Sequence, residues 1–257
     1  MQISGAKILV LGGWGLVGSA ICRELMKNSP KTMIISSLKK EEAIDACEQL
    51  KREFPKADPK MFVPVWGNIF TRNDWKDQPW GEVLNETKQR KTVVNDIFDD
   101  LDEDILSTSA LYRMIMDNQP DLVIDCINTA TAFAYLDIYT TTQTVKRELK
   151  ENNSASAESV ERLMSNMYIP QLIRHIQILY KGLCDAKSTM YLKIGTSGTG
   201  GMGLNIPYTH SEERPSRVLL SKTAMASAQT LLLFLMARTP DGPLVKEIKP
   251  TAAIAWK

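Results

Sequence analysis

The stretch KILVLGGWGLVGSAICREL, residues 7–25, does most to narrow what this chain can fold into. Its first part, Lys7 to Leu11, is β-branched and leucine-rich without polar alternation, which predicts a strand buried on both faces. The run ends in Gly12, Gly13, Gly15 and Gly18, and apolar residues then return at helical spacing as Val17, Ala20, Ile21 and Leu25. A sharp strand-to-helix turn calls for residues without a β-carbon. The helix start beyond it presents backbone N–H groups that attract phosphate. Gly13-x-Gly15-x-x-Gly18 and Gly12-x-x-Gly15-x-x-Gly18 both satisfy the dinucleotide-binding fingerprint, and Gly18 lets the helix lie close on the sheet.

The strand-then-helix order recurs downstream. Residues 32–36 (TMIIS) predict a second strand, and 41–54 a helix with a charged outer surface, stopped by Pro55. A third strand is expected at 61–68, where Pro64 suits an edge or a bulge. A fourth falls at 121–128, a fifth at 189–195, and a sixth in VKEIKPTAAIAW. A long helical pattern covers 156–183, with Pro170 starting or kinking its second half. Another covers 216–238 after Pro215.

Alternation of this kind implies an α/β fold, a Rossmann-type doubly wound parallel sheet with helices on both faces. The whole chain, 1–257, is expected as one NAD(P)-binding domain. Segment 71–120 is longer than one crossover needs and reads as an insertion. Its acidic run DIFDDLDED could hold a divalent ion, but carboxylates at a helix start are favoured anyway. No metal site is expected.

A net charge of +1 leaves no electrostatic footprint for nucleic acid or an anionic membrane. Cys22, Cys47, Cys126 and Cys184 lie far apart, as in a reducing compartment. The longest apolar run, LLLFLMA, is short of a membrane span, and residues 1–6 leave no room for a signal peptide, so a cytoplasmic location is expected.

The octet LGGWGLVG resembles the opening of the extended short-chain dehydrogenase/reductase family, the epimerase- and dehydratase-like branch, and the resemblance runs along most of the chain. It implies that Gly12, Gly13, Trp14, Gly15, Leu16, Val17 and Gly18 surround the cofactor. Asn68-Ile69 is similar to the family's adenine-contacting pair. QPDLVIDCINTAT looks like its fourth-strand segment, bringing Asn128, Thr129, Ala130 and Thr131 near the cofactor. Asn166 resembles the residue that opens its next long helix. KIGTSGTGGMG maps the active-site hydroxyl to Thr196 or Ser197, and SKTAMASAQ puts Lys222 at the family lysine.

Charge bears on which dinucleotide is bound. The end of the second strand reads SSLKK, so Ser36, Ser37, Lys39 and Lys40 could meet a 2′-phosphate, where a carboxylate would instead select NAD. NADP(H) is expected in preference to NAD(H).

The family's catalytic pattern is Tyr-x-x-x-Lys, a spacing that puts both side chains on one helix face. Here the residue four before Lys222 is Val218, which can move no proton. Tyr208 could replace the phenol, His210 could do the acid–base work, or nothing does. The resemblance thus implies an NADP-dependent oxidoreductase or epimerase/dehydratase-like enzyme acting on a small carbonyl, hydroxyl or sugar-nucleotide substrate. The alternative is a non-catalytic NADP(H)-binding module with a sensing or structural role. The family's C-terminal substrate domain is expected to be absent. The helix around Lys222 is apolar over most of its circumference, and family members pack this helix and the preceding one across a dimer, so a homodimer is expected.

Overall fold

A computed structural model describes residues 2–134, 136–195 and 217–249. Six strands form one parallel sheet: β1 (Lys7–Leu11), β2 (Thr32–Ser37), β3 (Phe62–Trp66), β4 (Leu122–Asp125), β5 (Met190–Ile194) and β6 (Leu244–Ile248). Their order across the sheet is β3-β2-β1-β4-β5-β6. This is the doubly wound Rossmann order, which reverses direction between β1 and β4. Pro64 sits in β3 at one margin, where a residue without an N–H is tolerated.

Two apolar cores, one per face, follow from the period of two along each strand. Ile8 and Val10 of β1, with Met33 and Ile35 of β2, face Cys22 and Leu25 of α1 (Leu16–Met26) and Cys47 and Leu50 of α2 (Lys40–Glu53). Leu9, Leu11, Ile34 and Val123 point the other way.

Segment 71–120 contains α3 (Trp80–Asn85), α4 (Thr87–Phe98), α5 (Glu103–Thr108) and α6 (Ala110–Asn118). Leu111 and Ile115 place α6 in the second core as the crossover to β4. Val83, Leu84 and Val93 of α3 and α4 form a satellite core with Trp75 and Trp80. The acidic run serves two ends. Asp102 caps α5 by accepting from Ile105 N at 2.8 Å, whereas Asp96 is claimed by Arg72. Among the described residues no acidic, histidine or cysteine group could hold a metal ion.

Beyond β4 run α7 (Thr129–Ala134), α8 (Ile138–Asn152), α9 (Ala157–Met164), α10 (Tyr168–Asp185) and α11 (Arg217–Ala237). The long 156–183 pattern is broken at 165–167, and Pro170 occupies the first turn of α10. Helix α8 was not expected; its threonine-rich start is a poor helix former, and Asp137 compensates by capping Thr140 N at 2.9 Å.

Helix α11 packs on the sheet through Met225, Ala226, Leu233 and Met236, with Ser221, Lys222 and Gln229 also buried. It leaves Leu220, Leu231, Phe234 and Leu235 exposed. By length and composition alone its window Leu220–Ala237 could cross a membrane, and a third of the window (33%) is buried.

Candidate functional site

The glycines divide the work of the first turn. Gly12 has φ +75°, a left-handed conformation that side chains rarely adopt. Gly13 donates its N–H to the Ser36 carbonyl at 2.8 Å, and a β-carbon on it would stand 2.6 Å from Ile35 Cγ2. A β-carbon on Gly18 would collide with the Gly12 carbonyl oxygen, so only glycine lets α1 rest against the loop. Gly15 is the N-cap and supplies no side-chain cap, and no acid stands in the first turn. The N–H groups of Leu16, Val17 and Gly18 therefore face outward without an intrahelical acceptor. Leu16 is 90% exposed, so among the described residues no side chain covers this helix start.

The turn opens onto a cleft of about 430 Å³ at the C-terminal ends of the strands. Gly12, Trp14, Gly15, Ser36, Ser37, Asn68 and Ile69, all expected at a cofactor, line it together with Leu38, Phe70, Trp80, Cys126, Ile127, Phe133 and Gln171. Ligands of open α/β sheets bind at this switch point. The Trp14 indole donates to Asp45 Oδ2 at 3.1 Å, which fixes the ring at the rim. Asn68 Oδ1 accepts from Phe70 N at 3.0 Å and shapes the turn after β3.

Several expected positions sit differently. Thr129 and Ala130 are turned into the interior, and the cleft wall from that segment is made by Cys126, Ile127, Ala132 and Phe133 instead. The cause is Lys193, whose ammonium draws the Thr129 hydroxyl inward at 3.2 Å. The end of β2 is also less free of carboxylates than its sequence suggests. Glu42, in the first turn of α2, accepts from the Ser37 hydroxyl at 2.6 Å and from Lys39 N at 3.3 Å. It offsets part of the positive charge there. The lysines remain: Lys40 and Lys76 stand 5.1 and 5.0 Å from the Trp66 ring centroid, next to Ser37 in register. Lys222 is buried on the inner face of α11. Thr196, Ser197, Tyr208 and His210 lie outside the described residues.

The sequence reading missed a buried ionic cluster beside the cleft. Lys193 on β5 donates to Asp125 Oδ2 on β4 at 2.8 Å and to the Ile127 carbonyl at 2.6 Å, and both side chains are 1% exposed. Tyr191 donates to the same Oδ2 at 2.7 Å, and Asp125 Oδ1 accepts from Ile127 N at 2.8 Å. Burial and the adjacent carboxylate hold the Tyr191 phenol well above its ordinary pKa. His175 of α10 is buried beside Phe70 and Phe133, and burial lowers its pKa to about 4, so it is neutral at pH 7. The signal was present: DLVIDCIN and TMYLKIG each place one charge inside an apolar strand. On α10, Tyr168 shares a hydrogen bond with Ser221, the residue before Lys222, and burial raises its phenol pKa.

No protein-family model matches the sequence, and no curated protein matches it. Solved structures do. Pen from Bacillus thuringiensis is 12% identical with a TM-score of 0.47, over 97% of this chain and 51% of that one. A short chain dehydrogenase from Burkholderia cenocepacia, solved with NADP, is 13% identical with a TM-score of 0.45, over 97% and 72%. The UDP-Glc/GlcNAc 4-epimerase from Campylobacter jejuni is 12% identical with a TM-score of 0.45, over 95% and 53%. The chain spans about half the length of the first and third of these.

Proposed function

We propose that this chain binds NADP(H) and acts as an oxidoreductase or epimerase/dehydratase-like enzyme of the extended short-chain dehydrogenase/reductase kind. The observation that carries the reading is the uncapped start of α1: Gly12 in a left-handed turn, Gly18 packed on it, and outward N–H groups facing a cleft at the switch point. A β-carbon at either glycine would spoil the cradle, and this is the fit a pyrophosphate requires. When bound, the nicotinamide supplies hydride chemistry. Gly12 and Gly15 would hold the phosphates, Asn68 and Ile69 would flank the adenine, and Lys39 and Lys40 would meet the 2′-phosphate. Lys222 would hold the second ribose, and Thr196 or Ser197 would hydrogen-bond the reacting oxygen.

Titration with NADPH and NADH tests this. Tight NADPH binding with weak NADH binding is expected; preference for NADH would remove the role given to the lysines, and binding of neither would remove the dinucleotide reading. A second reading, a non-catalytic NADP(H)-binding module, is favoured by Val218 in place of the proton-moving tyrosine. NADPH turnover on a carbonyl panel, lost in Lys222→Ala, would decide against it. We also propose a homodimer through the exposed face of α11, for which Leu220, Leu231, Phe234 and Leu235 are the support. A monomeric mass at micromolar concentration would exclude it.

A further inference from the structure

Behind the cleft, under the helices of segment 71–120, lies a second chamber of about 60 Å³. It is bounded by the chain after β3, by Trp80 of α3, by α4 and by α10. Buried polar atoms in native folds are nearly always paired, and each exception calls for an explanation. Among the described residues, the buried side-chain atoms without a partner are Thr71 Oγ1, Trp80 Nε1, Arg174 Nε and Nη1, His175 Nε2 and Gln229 Nε2. All but Gln229 belong to residues that line this one chamber.

Arg174 is the centre of the pattern. It is 8% exposed, and its Nη2 donates to the Asp99 carbonyl, yet Nε and Nη1 have no acceptor among the described residues. A buried cation without a full set of acceptors is costly unless a ligand completes it. The neighbouring charges do not complete it. Asp96 gives both oxygens to Arg72, at 2.8 and 2.6 Å, and Asp104 also turns to Arg72 at 2.8 Å. The carboxylates of Asp96, Asp100, Asp102 and Asp99 act on Arg174 through space, and burial outweighs them. His175 is neutral at pH 7 and brings no charge. Along the lining itself Asp96 is taken by Arg72, and among the described residues Nε and Nη1 of Arg174 are left without a hydrogen-bond acceptor.

We propose that this chamber recognises an oxyanionic group, a carboxylate or phosphate, at the end of the substrate that lies beside the dinucleotide in the cleft. Arg174 is the counter-charge, with Trp80 Nε1 and Thr71 Oγ1 as neutral donors. Ile69, Phe70, Trp80, Phe133 and Gln171 line both spaces, and all but Ile69 are free of a role at the dinucleotide, so a substrate beside it reaches the chamber with one end. The chamber has room for one small head group and not for a nucleotide. The proposal deepens the dinucleotide reading by naming the substrate class as acidic, and it rests on that reading only for the rest of the ligand.

Calorimetric titration of the full chain with acetate, hexanoate and inorganic phosphate, at fixed ionic strength, tests it. Saturable binding is expected, with hexanoate tighter than acetate because its tail enters the cleft. Arg174→Gln should weaken binding about tenfold or more, the loss of a charge-assisted hydrogen bond, while NADPH affinity stays unchanged. Should Arg174→Gln fail to fold, Trp80→Phe and Thr71→Val each remove one donor with little change of shape, and unchanged anion affinity in both overturns the site. No saturable binding by the folded protein overturns it outright. Phosphate binding with acetate and hexanoate equal would mean a free inorganic anion and overturn the substrate assignment. Anion binding without NADPH binding supports the chamber and sinks only the dinucleotide reading; the reverse sinks only the chamber.

Discussion

The two halves of the sheet finish their C-terminal ends in opposite ways. On the β1 side the start of α1 leaves backbone N–H groups that, among the described residues, no capping side chain meets. On the β4–β5 side it closes the same edge with its own charges, Lys193 against Asp125, 1% exposed and joined by Tyr191 and Thr129. One end is left for a ligand's charge, and the other is already neutralised from within.

Breaking the closed flank should have the largest effect. Asp125→Ala leaves Lys193 buried and uncompensated, and is expected to cost about 3–5 kcal/mol in denaturant unfolding. Asp125→Leu with Lys193→Met should recover most of that, since a well-packed apolar pair avoids the desolvation. A double variant as unstable as the single one would show that the cluster does more than neutralise.

Acid should act next. His175 has a folded pKa of about 4 against an ordinary 6.5. Between these values the unfolded chain binds the proton that the folded chain refuses. Stability from this group is therefore full above pH 6.5 and declines as pH falls towards 4, by on the order of 3 kcal/mol. His175→Phe should flatten that limb of the pH–stability curve; an unchanged slope would place the acid sensitivity elsewhere.

The open flank should respond in binding more than in stability. Gly12→Ala forces a side chain into a left-handed turn, at about 1–2 kcal/mol, and should weaken NADPH binding about tenfold through the displaced loop. Equal binding by the variant would detach the turn from the cofactor. The smallest effect belongs to a pair outside the comparison. Arg23 and Glu53 join α1 to α2 in a bidentate contact at 2.6 and 2.8 Å, but both are largely solvated. Arg23→Ala should cost less than about 1 kcal/mol, and less still at high salt.

What could be read from the sequence tracks how local the physics is. Strand β1 was legible because its apolar run and its glycines are adjacent, and the turn between them has few backbone solutions. Pro64 gave its place at the sheet margin for a similar reason: the missing N–H acts at that residue alone. The Asp125–Lys193 contact was not legible, because each charge looks anomalous in its own strand and only the register of β4 on β5 joins them. The bond from Ser37 to Glu42 was missed on a shorter scale. Glu42 sits in a helix that was expected, yet its return to Ser37 depends on how α2 leaves the strand. The unpaired atoms around Arg174 required knowing where three separated segments meet.

The position of β1 also bears on synthesis. It pairs with β2 on one side and with β4 on the other, and Lys7 N donates to Asp121 Oδ2 at 2.8 Å across the same seam. Strand β1 therefore keeps the backbone N–H and C=O groups of one edge unpaired until the chain through Asp125 has emerged. Such long-range parallel pairing forms slowly and exposes an edge open to wrong partners. Over this interval the nascent chain exposes an apolar strand, residues 8–11, with one edge open to non-native pairing.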